Sequence, residues 1–341
     1  MLAVRVDSPF GPRPRIEACA YHSPASEASF PQAFADFARD LSADGLPVVV
    51  SVNSQLASLL QLSLPEVPEA ELASALKFRA REISPVPVDD MVLDYVEVPG
   101  MRARGGEKTG YCAVARLSQM RALRDALKSS GMTLAAIDIE DMVLRHLLAR
   151  FQPGEENGAL LFVGAQGSRV IVARGDRLYL FRSSNIGAHH LEGRTPQGLR
   201  PGMAEGTERR DQLQQDRLDQ GEGLSLGRVE GLVLEIQRTL DFYDSHFTDP
   251  PPRQIWLAPG WPFIPHLARQ LGDQLRLPLR EIALADVFDG TQRIAGQPAD
   301  LACLALGAAL RPREGGSRGP HPRGASDMDV GRDREEGATS R

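Results

Sequence analysis

The stretch LLFVGAQGSRVIVARGDRLYLFR, residues 160–182, decides the fold class of this chain. It contains three β-rich runs separated by the turn signals GAQG and RGD, a pattern that predicts a meander of three strands. A helix with one apolar stripe is predicted at 226–247, and the strand IWLAP follows it. A second striped helix at 264–275 and the strand LPLREIAL complete a half in which strands and helices alternate, as in α/β proteins.

The beginning of the chain repeats this organisation. The runs LAVRV and RIEACAY predict two strands, and LPVVVSV predicts a buried third strand. Between them, the segment ASFPQAFADFARDLSADG carries Phe34, Phe37 and Leu41 at helical spacing. The order β, β, α, β resembles the second half, so the sequence predicts an α/β architecture with internal duplication.

A smaller α+β unit is predicted between the two halves. It comprises a helix at 68–84, the strands VLDYVEV and GYCAVARL, a helix at 118–130 and the β-like run TLAAIDI. Gly131 follows the second helix, where a glycine commonly ends a helix. The predicted unit is a small sheet with helices on one face.

These patterns divide the chain into five segments. The predicted boundaries are 1–66 for the first part of half one, 67–138 for the inserted unit, 139–158 for a return helix that completes half one, 159–310 for half two, and 311–341 for a disordered tail. A mobile insertion is also predicted at 192–223. Both polar segments offer too little apolar surface to offset the entropy of ordering.

Composition narrows the classes of function. The chain has 341 residues and a formal net charge of -6, so it lacks the basic field that attracts nucleic acid or anionic lipid. Cys19, Cys112 and Cys303 form no CxxC pair and are expected to be reduced thiols of a cytosolic protein. No stretch approaches the ~20 apolar residues of a membrane span. We therefore expect contact with a membrane through a partner, without direct insertion.

Four runs carry a resemblance to a known family: KFRAREISPVPVDDMVLDYVEV, SSGMTLAAIDIEDMVLRHLL, LLFVGAQGSRVIVARGDRLYLFRSSNIGAHHL and LEIQRTLDFYDSHF. In order and spacing they resemble the PilM/MshI family of type IV pilus biogenesis proteins. Within it, the chain is most similar to MshI of the mannose-sensitive haemagglutinin pilus. The resemblance implies an actin-like, FtsA/PilM-type fold with a small inserted subdomain. It also implies a cytoplasmic protein docked on the N-terminal cytoplasmic segment of a bitopic, PilN- or MshJ-like inner-membrane partner.

The resemblance further implies a degenerate nucleotide cleft. Nucleotide-using actin-like proteins open each half with a strand ending in Asp-x-Gly, whose carboxylate positions metal and whose turn offers backbone N–H groups to phosphates. Arg5 and Phe162 stand at the two acidic positions here, although Gly164 and Ala165 keep the tight turn. Asp7, two residues after Arg5, is a candidate substitute for the first carboxylate.

The adenosine end of the implied cleft is altered as well. The glycine-rich turn has become APGWPF, residues 258–263, in which Gly260 lies between a proline and Trp261. Glu235 and Arg238 keep the residue types that flank adenine in this superfamily, although a helical i,i+3 pair is also common as a solvated ion pair. We therefore expect no cofactor, with binding of ATP and magnesium as the alternative.

No catalytic residue and no metal site are predicted. His189 and His190 are adjacent and would point to opposite faces of a strand, which excludes a shared metal. Asp89 and Asp90 are expected to start or cap a strand edge. The acidic pair at 140–141 opens a helix, where carboxylates favour the helix dipole.

The inserted unit, with its border against the first half, is the predicted partner-binding surface. The run REISPVPVDDMVLDY motivates this prediction, because its two prolines fix an extended segment before a strand. A preformed groove can bind a peptide segment without any catalytic residue. The residues predicted to contact the partner are Arg79, Ile83, Pro85, Pro87, Leu93 and Tyr95. Filling of the small core is the alternative role for the apolar members of this set.

Three functional hypotheses follow. The first is a cytoplasmic scaffold of a type IV, MSHA-like pilus machine that is not an enzyme, with self-association as an additional possibility. The second is an actin-like protein that binds ATP as a structural cofactor or hydrolyses it weakly. The third is a platform component like the cytoplasmic L protein of type II secretion.

Overall fold

A computed structural model describes residues 1–23, 29–101, 108–152, 154, 156–193, 224, 226–261 and 264–312. Among these residues, no helix combines the length and the apolar character that crossing a membrane requires. Most of the predicted insertion at 192–223 and of the predicted tail at 311–341 lies outside the described residues.

The described elements alternate along the chain as the sequence predicts, with hairpins interrupted by helices. The strands are β1 Leu2–Asp7, β2 Arg15–Tyr21, β3 Pro47–Val52, β4 Ala57–Leu64, β5 Met91–Glu97, β6 Lys108–Arg116, β7 Thr133–Ile139, β8 Gly158–Val163, β9 Ser168–Arg174, β10 Arg177–Ser184, β11 Ile255–Leu257 and β12 Leu279–Glu281. The α-helices are α1 Phe30–Asp40, α2 Glu69–Ala80, α3 Leu117–Ser129, α4 Glu140–Phe151, α5 Ala188–Glu192, α6 Leu226–His246, α7 Ile264–Leu275, α8 Leu284–Val287 and α9 Ala299–Ala309.

The second half is built on a sheet of order β10–β9–β8–β11–β12. The predicted meander forms its antiparallel part, and β11 pairs in parallel with both β8 and β12. Every residue of β8 is buried, because helix α4 covers this part of the sheet. Helix α6 packs on β10 and α7 through its predicted apolar stripe, which includes the fully buried Val229, Leu232 and Ile236.

The first half consists of the antiparallel pair β1–β2 and the parallel pair β3–β7. Helix α1 buries Phe34 and Phe37, as their spacing predicts, and packs against α3. Helix α9 lies between the halves and contacts α4, β1 and β3. Gly307 of α9 lies so close to α4 that an added Cβ atom would collide with the carbonyl of Val143.

Two strand assignments in the small unit are wrong. The run TLAAIDI forms β7, which pairs with β3 of the first half instead of joining the small sheet. Residues 57–64, assigned to the first half without a strand, form β4 and complete a sheet of order β4–β6–β5. Strands β4 and β7 have similar apolar character, but β4 pairs with β6 and β7 pairs with β3. Their sheet is therefore set by pairing with a distant segment, which their own sequences do not reveal. Helix α2 covers this sheet through the buried Leu76 and Ala80.

The predicted start of the tail at residue 311 is also too early. The Arg311 guanidinium lies 2.7 Å from the Asp138 carboxylate, whose side chain is only 4% exposed. This ion pair joins the second residue after α9 to the next-to-last residue of β7. Arg311 therefore belongs to the folded body of the protein.

Candidate functional site

The turn after β8 is well formed but already has intramolecular partners. The Gly164 N–H donates to the Gly167 carbonyl at 2.9 Å and closes the β8–β9 hairpin. The first backbone N–H groups of α5 donate to the carbonyls of Gly164 and Ala165 at 2.9 and 3.0 Å. Gly187 lies against this turn so closely that a Cβ atom would collide with the Gly167 backbone. The predicted phosphate turn is thus covered by the chain itself.

Trp261 covers the same turn from the APGW segment. Its indole N–H donates to the Val163 carbonyl at 3.0 Å, and its ring meets the His189 ring edge-on at 5.9 Å. Gly260 therefore does lie beside the predicted turn, where a Cβ atom added to it would be 3.5 Å from the Val163 carbonyl oxygen. A large aromatic side chain occupies the space that a glycine-rich turn would leave open to a ligand.

Arg5, at the first acidic position, has a structural role. Its guanidinium donates to the Leu41 carbonyl at 2.8 Å, at the C-terminus of α1, and lies 3.8 Å from Glu17. A cation at a helix C-terminus stabilises the unsatisfied carbonyls there. Asp7, the proposed substitute, is exposed at the end of β1 and accepts a hydrogen bond from the neighbouring Ser8 hydroxyl at 3.2 Å.

Glu235 and Arg238 form an exposed ion pair at 3.0 Å, with side chains 44% and 64% exposed. Glu235 lies one helical turn after Gly231, where an added Cβ atom would be 3.2 Å from the Ile186 side chain. This places Glu235 on the side of α6 that approaches the chain leading into α5. The pair has the geometry of a solvated helical pair, and no described contact links it to Gly260 or Trp261.

A buried charge cluster lies at the second acidic position. Arg169 is the cross-strand neighbour of Phe162 and reaches Glu140 at 2.5 Å and Asp141 at 3.3 Å, at the start of α4. Burial raises the pKa values of both carboxyl groups, and the Arg169 charge opposes this shift. Asp300 adds a further negative charge near Glu140, and burial raises its pKa too.

Sequence reasoning missed this cluster, because it treated the acids at 140–141 as a helix start alone. The available signal was Arg169, a cation directly before the apolar run 170–173 of a buried meander. Among the acids that were considered, Asp90 has a clear structural role. Its carboxylate accepts bonds from the backbone N–H and the hydroxyl of Ser118, both at 2.8 Å, at the start of α3. These bonds lower the pKa of Asp90.

An apolar groove lies between helices α1 and α3, at the small unit's border with the first half. We call it the α1–α3 groove. Its lining residues are Phe30, Pro31, Leu56, Gln119, Met120, Ala122, Leu123 and Ala126. The glutamine is the one polar side chain among them. An apolar concavity with few polar groups is the usual form of a site that binds an apolar side chain or peptide segment.

The six predicted partner-binding residues do not lie on one groove. Leu93 is 8% exposed and, with the half-buried Tyr95, packs in the core of the small unit. Arg79 donates to the Ser63 carbonyl at 3.0 Å and to the Ser63 hydroxyl, so it joins α2 to β4. Ile83 is 57% exposed.

Pro85 and Pro87 are exposed as well and lie just before a short 3-10 helix at Val88–Asp90. The set therefore divides into a core-facing part and an outward-facing part. The predicted border between the small unit and the first half does contain a groove, but other residues line it.

The fold is similar to that of a solved type IV pilus complex. The structure of a PilM–PilN type IV pilus biogenesis complex matches 91% of this chain and 95% of that chain, with a TM-score of 0.67 and 20% sequence identity. This match confirms the predicted α/β, actin-like fold class.

Two weaker matches are the cytoplasmic domain of EpsL, from the type II secretion system of Vibrio cholerae, and a Bacteroides thetaiotaomicron protein with an actin-like ATPase fold. The EpsL domain has a TM-score of 0.37 and 15% identity over 55% of this chain and 68% of that chain. The Bacteroides protein has a TM-score of 0.45 and 8% identity over 89% of this chain and 94% of that chain. Neither score is high enough to support an argument by itself.

No curated protein sequence matches the chain significantly. Residues 37–311, by contrast, match the family described as type IV pilus assembly protein PilM. This region includes the small unit, most of the α1–α3 groove, the Arg169 cluster and the whole second half. The chain belongs to the PilM family of type IV pilus assembly proteins.

Proposed function

We propose that this chain is a scaffold of a type IV pilus assembly machine and binds a short cytoplasmic segment of a membrane-anchored partner in the α1–α3 groove. The groove carries the proposal, because it is apolar, preformed and located where the small unit meets the first half. A segment that enters such a groove gains affinity from buried apolar area, and the rigid walls limit the entropy lost on binding.

The chemistry of the groove suits a short segment with large apolar side chains. Phe30 on α1 is half-buried and provides apolar contact surface, whereas Met120 on α3 is only 6% exposed and also belongs to the core. Gln119 can bond a backbone group of the bound segment. We propose a PilN-like partner, since the matching solved structure is a PilM complex with PilN. The protein would then act at the inner membrane from the cytoplasm through this partner.

We further propose that the chain belongs to the MshI branch of the family and serves an MSHA-like pilus. The support is the resemblance of the four sequence runs described above. Titration with the N-terminal cytoplasmic peptides of an MshJ-like and a PilN-like protein compares the two branches. Tighter binding of the MshJ-like peptide is the expected result, and a preference for the PilN-like peptide would contradict the assignment.

The test of the groove uses fluorescence anisotropy with a labelled partner peptide. Ala122 is exposed on α3 and lines the groove, so Ala122→Trp fills the groove without disturbing a core position. We expect at least about tenfold weaker binding, equal to roughly 1.4 kcal/mol. Arg121→Trp is the matched control, because Arg121 is exposed on the same helix and does not line the groove.

The same titration examines the surface predicted from the sequence. Ile83→Ala and Tyr95→Ala are expected to bind the peptide as tightly as the wild type. If these two variants lose affinity while Ala122→Trp binds normally, the segment binds at the predicted surface and the groove assignment is wrong. If the wild type binds neither peptide, the scaffold function itself is contradicted.

A further inference from the structure

Strand β4 forms an edge of the small sheet that is open on one side. In the sheet of order β4–β6–β5, β4 pairs with β6 without a register shift from Ala57 to Leu64. Among the described residues, no strand pairs with the other side of β4. An edge strand presents a row of N–H and C=O groups to which another strand can bind.

One hydrogen bond of the small sheet fixes which backbone groups of β4 face outward. The Val98 N–H donates to the Thr109 carbonyl at 2.8 Å. Thr109 and every second residue of β6 after it therefore bond to β5, whereas the residues between them bond to β4. Leu59 and Gln61 lie opposite residues of β6 that bond to β5. Their own N–H and C=O groups consequently point away from β6.

Two further contacts agree with this assignment. The Ala57 N–H donates to the Asn53 carbonyl at 3.1 Å, and the Ser63 carbonyl accepts a hydrogen bond from the Arg79 guanidinium at 3.0 Å. Both groups belong to the outward-facing set of β4, and both are bonded outside the β4–β6 pair. These contacts close the two ends of the edge. Within the described part of the chain, no backbone hydrogen bond reaches its centre, at residues 59–61, from the open side.

The other edge of the small sheet, β5, is protected against a further strand. The outward N–H of Tyr95 donates to the Asp94 carboxylate at 2.8 Å, and Glu97 adds a second charge to this strand. Charged side chains on an edge discourage the addition of another strand. The sequence of β4, ASLLQLSL, contains no charged residue and no proline. Gln61 is exposed, so solvent reaches the centre of this edge.

The open edge begins next to the α1–α3 groove. Leu56 lines the groove and is the residue directly before β4. Leu56 and Leu59 both pack against the core cluster that contains Met120 and Leu123 of the groove. An extended chain advances about 3.3 Å per residue, so about four residues beyond the groove are enough to pass Leu59 and Gln61.

We propose that the partner segment in the α1–α3 groove continues as an added strand on β4, where its backbone bonds the N–H and C=O groups of Leu59 and Gln61. This inference rests on the proposed function and specifies the conformation of the bound partner. The segment is extended over about four residues beyond the groove and has no proline at the bonding positions. Its main chain supplies affinity on β4, while side chains inside the groove supply specificity.

Residue-resolved hydrogen–deuterium exchange of the full chain tests this binding mode. In the free protein, we expect fast exchange at the N–H groups of Leu59 and Gln61. The N–H groups of Leu60 and Leu62 are expected to exchange slowly, because they bond to β6. Saturation with the partner peptide of the anisotropy titration is expected to slow exchange at Leu59 and Gln61 at least about tenfold and to leave Leu60 and Leu62 unchanged.

Gln61→Pro tests the same bonds through affinity. Proline removes the outward N–H of position 61 but no bond to β6, and edge strands accept a proline whose nitrogen faces solvent. We expect about tenfold weaker binding of the peptide. Gln61→Thr is the matched control, because it also loses the side-chain contact with Met101 but keeps the N–H. It is expected to bind like the wild type.

Singly N-methylated peptides cover the case in which Gln61→Pro does not fold. Each methylation removes one N–H group of the peptide. Successive residues of a strand bond on opposite sides, so affinity is expected to fall at every second position of the added strand. An equal loss at all positions, or no loss at any, contradicts the added strand.

The outcomes separate this inference from the proposed function. If the peptide binds and exchange at Leu59 and Gln61 stays fast, the added strand is wrong and the groove assignment stands. If these two N–H groups already exchange slowly in the free protein, the edge is covered by the chain itself, and the inference is overturned. Slow exchange that appears only at high protein concentration shows that a second copy covers the edge, which also overturns it. If the wild type binds no peptide, the proposed function fails and this inference fails with it.

Discussion

Individual residues account for the clearest differences from the nucleotide site that the resemblance implies. The resemblance implies a carboxylate at position 5, and the sequence has Arg5 there. Its role as a cap on the C-terminus of α1 depends on a contact with Leu41 that no local pattern contains. The same holds for Trp261, whose indole N–H finds a carbonyl far away in the chain. The sequence shows which residue types stand at these two positions. It does not show which carbonyl groups their side chains contact.

His146 is a buried histidine of helix α4 with a strongly lowered pKa. It is 8% exposed, and its Nε2 lies 2.7 Å from the Arg145 guanidinium. Its Nδ1 lies 4.0 Å from Asp138. Burial, together with the neighbouring Arg145 charge, lowers the pKa of His146 to about 4. The ring is therefore neutral in the folded protein at neutral pH.

This pKa predicts the pH dependence of stability. Unfolded His146 takes up a proton near pH 6.5, whereas the folded residue does so near pH 4. Its contribution is therefore complete above about pH 6.5 and is lost as the pH falls from there to about 4, by on the order of 2 kcal/mol. Urea unfolding at pH 7 and pH 4.5 measures this loss.

The matched variants isolate the contribution of this residue. His146→Gln keeps an acceptor for Arg145 but cannot titrate, so its stability is expected to fall less between pH 7 and pH 4.5. His190→Gln changes an exposed histidine and is expected to follow the wild type. Equal losses in His146→Gln and the wild type would contradict the assignment of the pH dependence to His146.

At the scale of secondary structure, periodicity predicted the helices well and strand pairing poorly. The apolar stripes of α1, α3, α6 and α7 are local patterns, and each stripe is buried as expected. The alternation of apolar and polar residues within β4 or β7 does not identify the distant strand with which each one pairs. The α1–α3 groove has the same origin, because its two walls are far apart in the sequence.

The crossing of α4 and α9 gives a prediction about helix packing. Gly307→Ala improves the intrinsic helix propensity of α9 but places a Cβ atom on the Val143 backbone. We expect a net loss of about 2 kcal/mol, because backbone atoms of a packed helix are displaced only at a cost. Thermal unfolding measures the change.

Gly227→Ala is the control for helix propensity. Gly227 lies in helix α6, and a Cβ atom added there would meet, among the described residues, no atom within 4 Å beyond its own chain neighbours and helix backbone. This substitution is expected to raise stability by up to about 1 kcal/mol. If Gly307→Ala also stabilises the protein, the two helices tolerate a wider separation than the structure shows.

For the whole molecule, the predicted limit of the folded body at residue 310 differs from the structure. Composition located the polar end of the chain at 311–341, since that region has little apolar surface. The composition of a segment does not show whether one charged residue in it forms an ion pair with the folded body. Arg311 does so, because it pairs with the buried Asp138. The limit of the fold therefore depends on one ion pair.

Two truncations test where the fold ends. A chain ending at Pro312 is expected to unfold at the wild-type temperature, because it keeps Arg311. A chain ending at Leu310 leaves Asp138 without this partner, and we expect a loss of about 2 kcal/mol, or several degrees in the unfolding temperature.

Arg311→Gln in the full chain separates the ion pair from the new carboxyl terminus of the shorter protein. Its stability is expected to match that of the chain ending at Leu310. If the chain ending at Pro312 is destabilised by as much, residues beyond 312 also contribute to the fold.

The parallel pairing of β3 with β7 has a consequence for folding kinetics. Parallel strands need a crossover connection, and here the entire small unit is that connection. During synthesis, β3 emerges long before β7, while the β5–β6 pair can form from neighbouring segments. Contacts between distant segments form slowly because a large loop must close first. We therefore expect the small unit to fold first, and the first half to acquire its native sheet only after that unit has brought the two strands together.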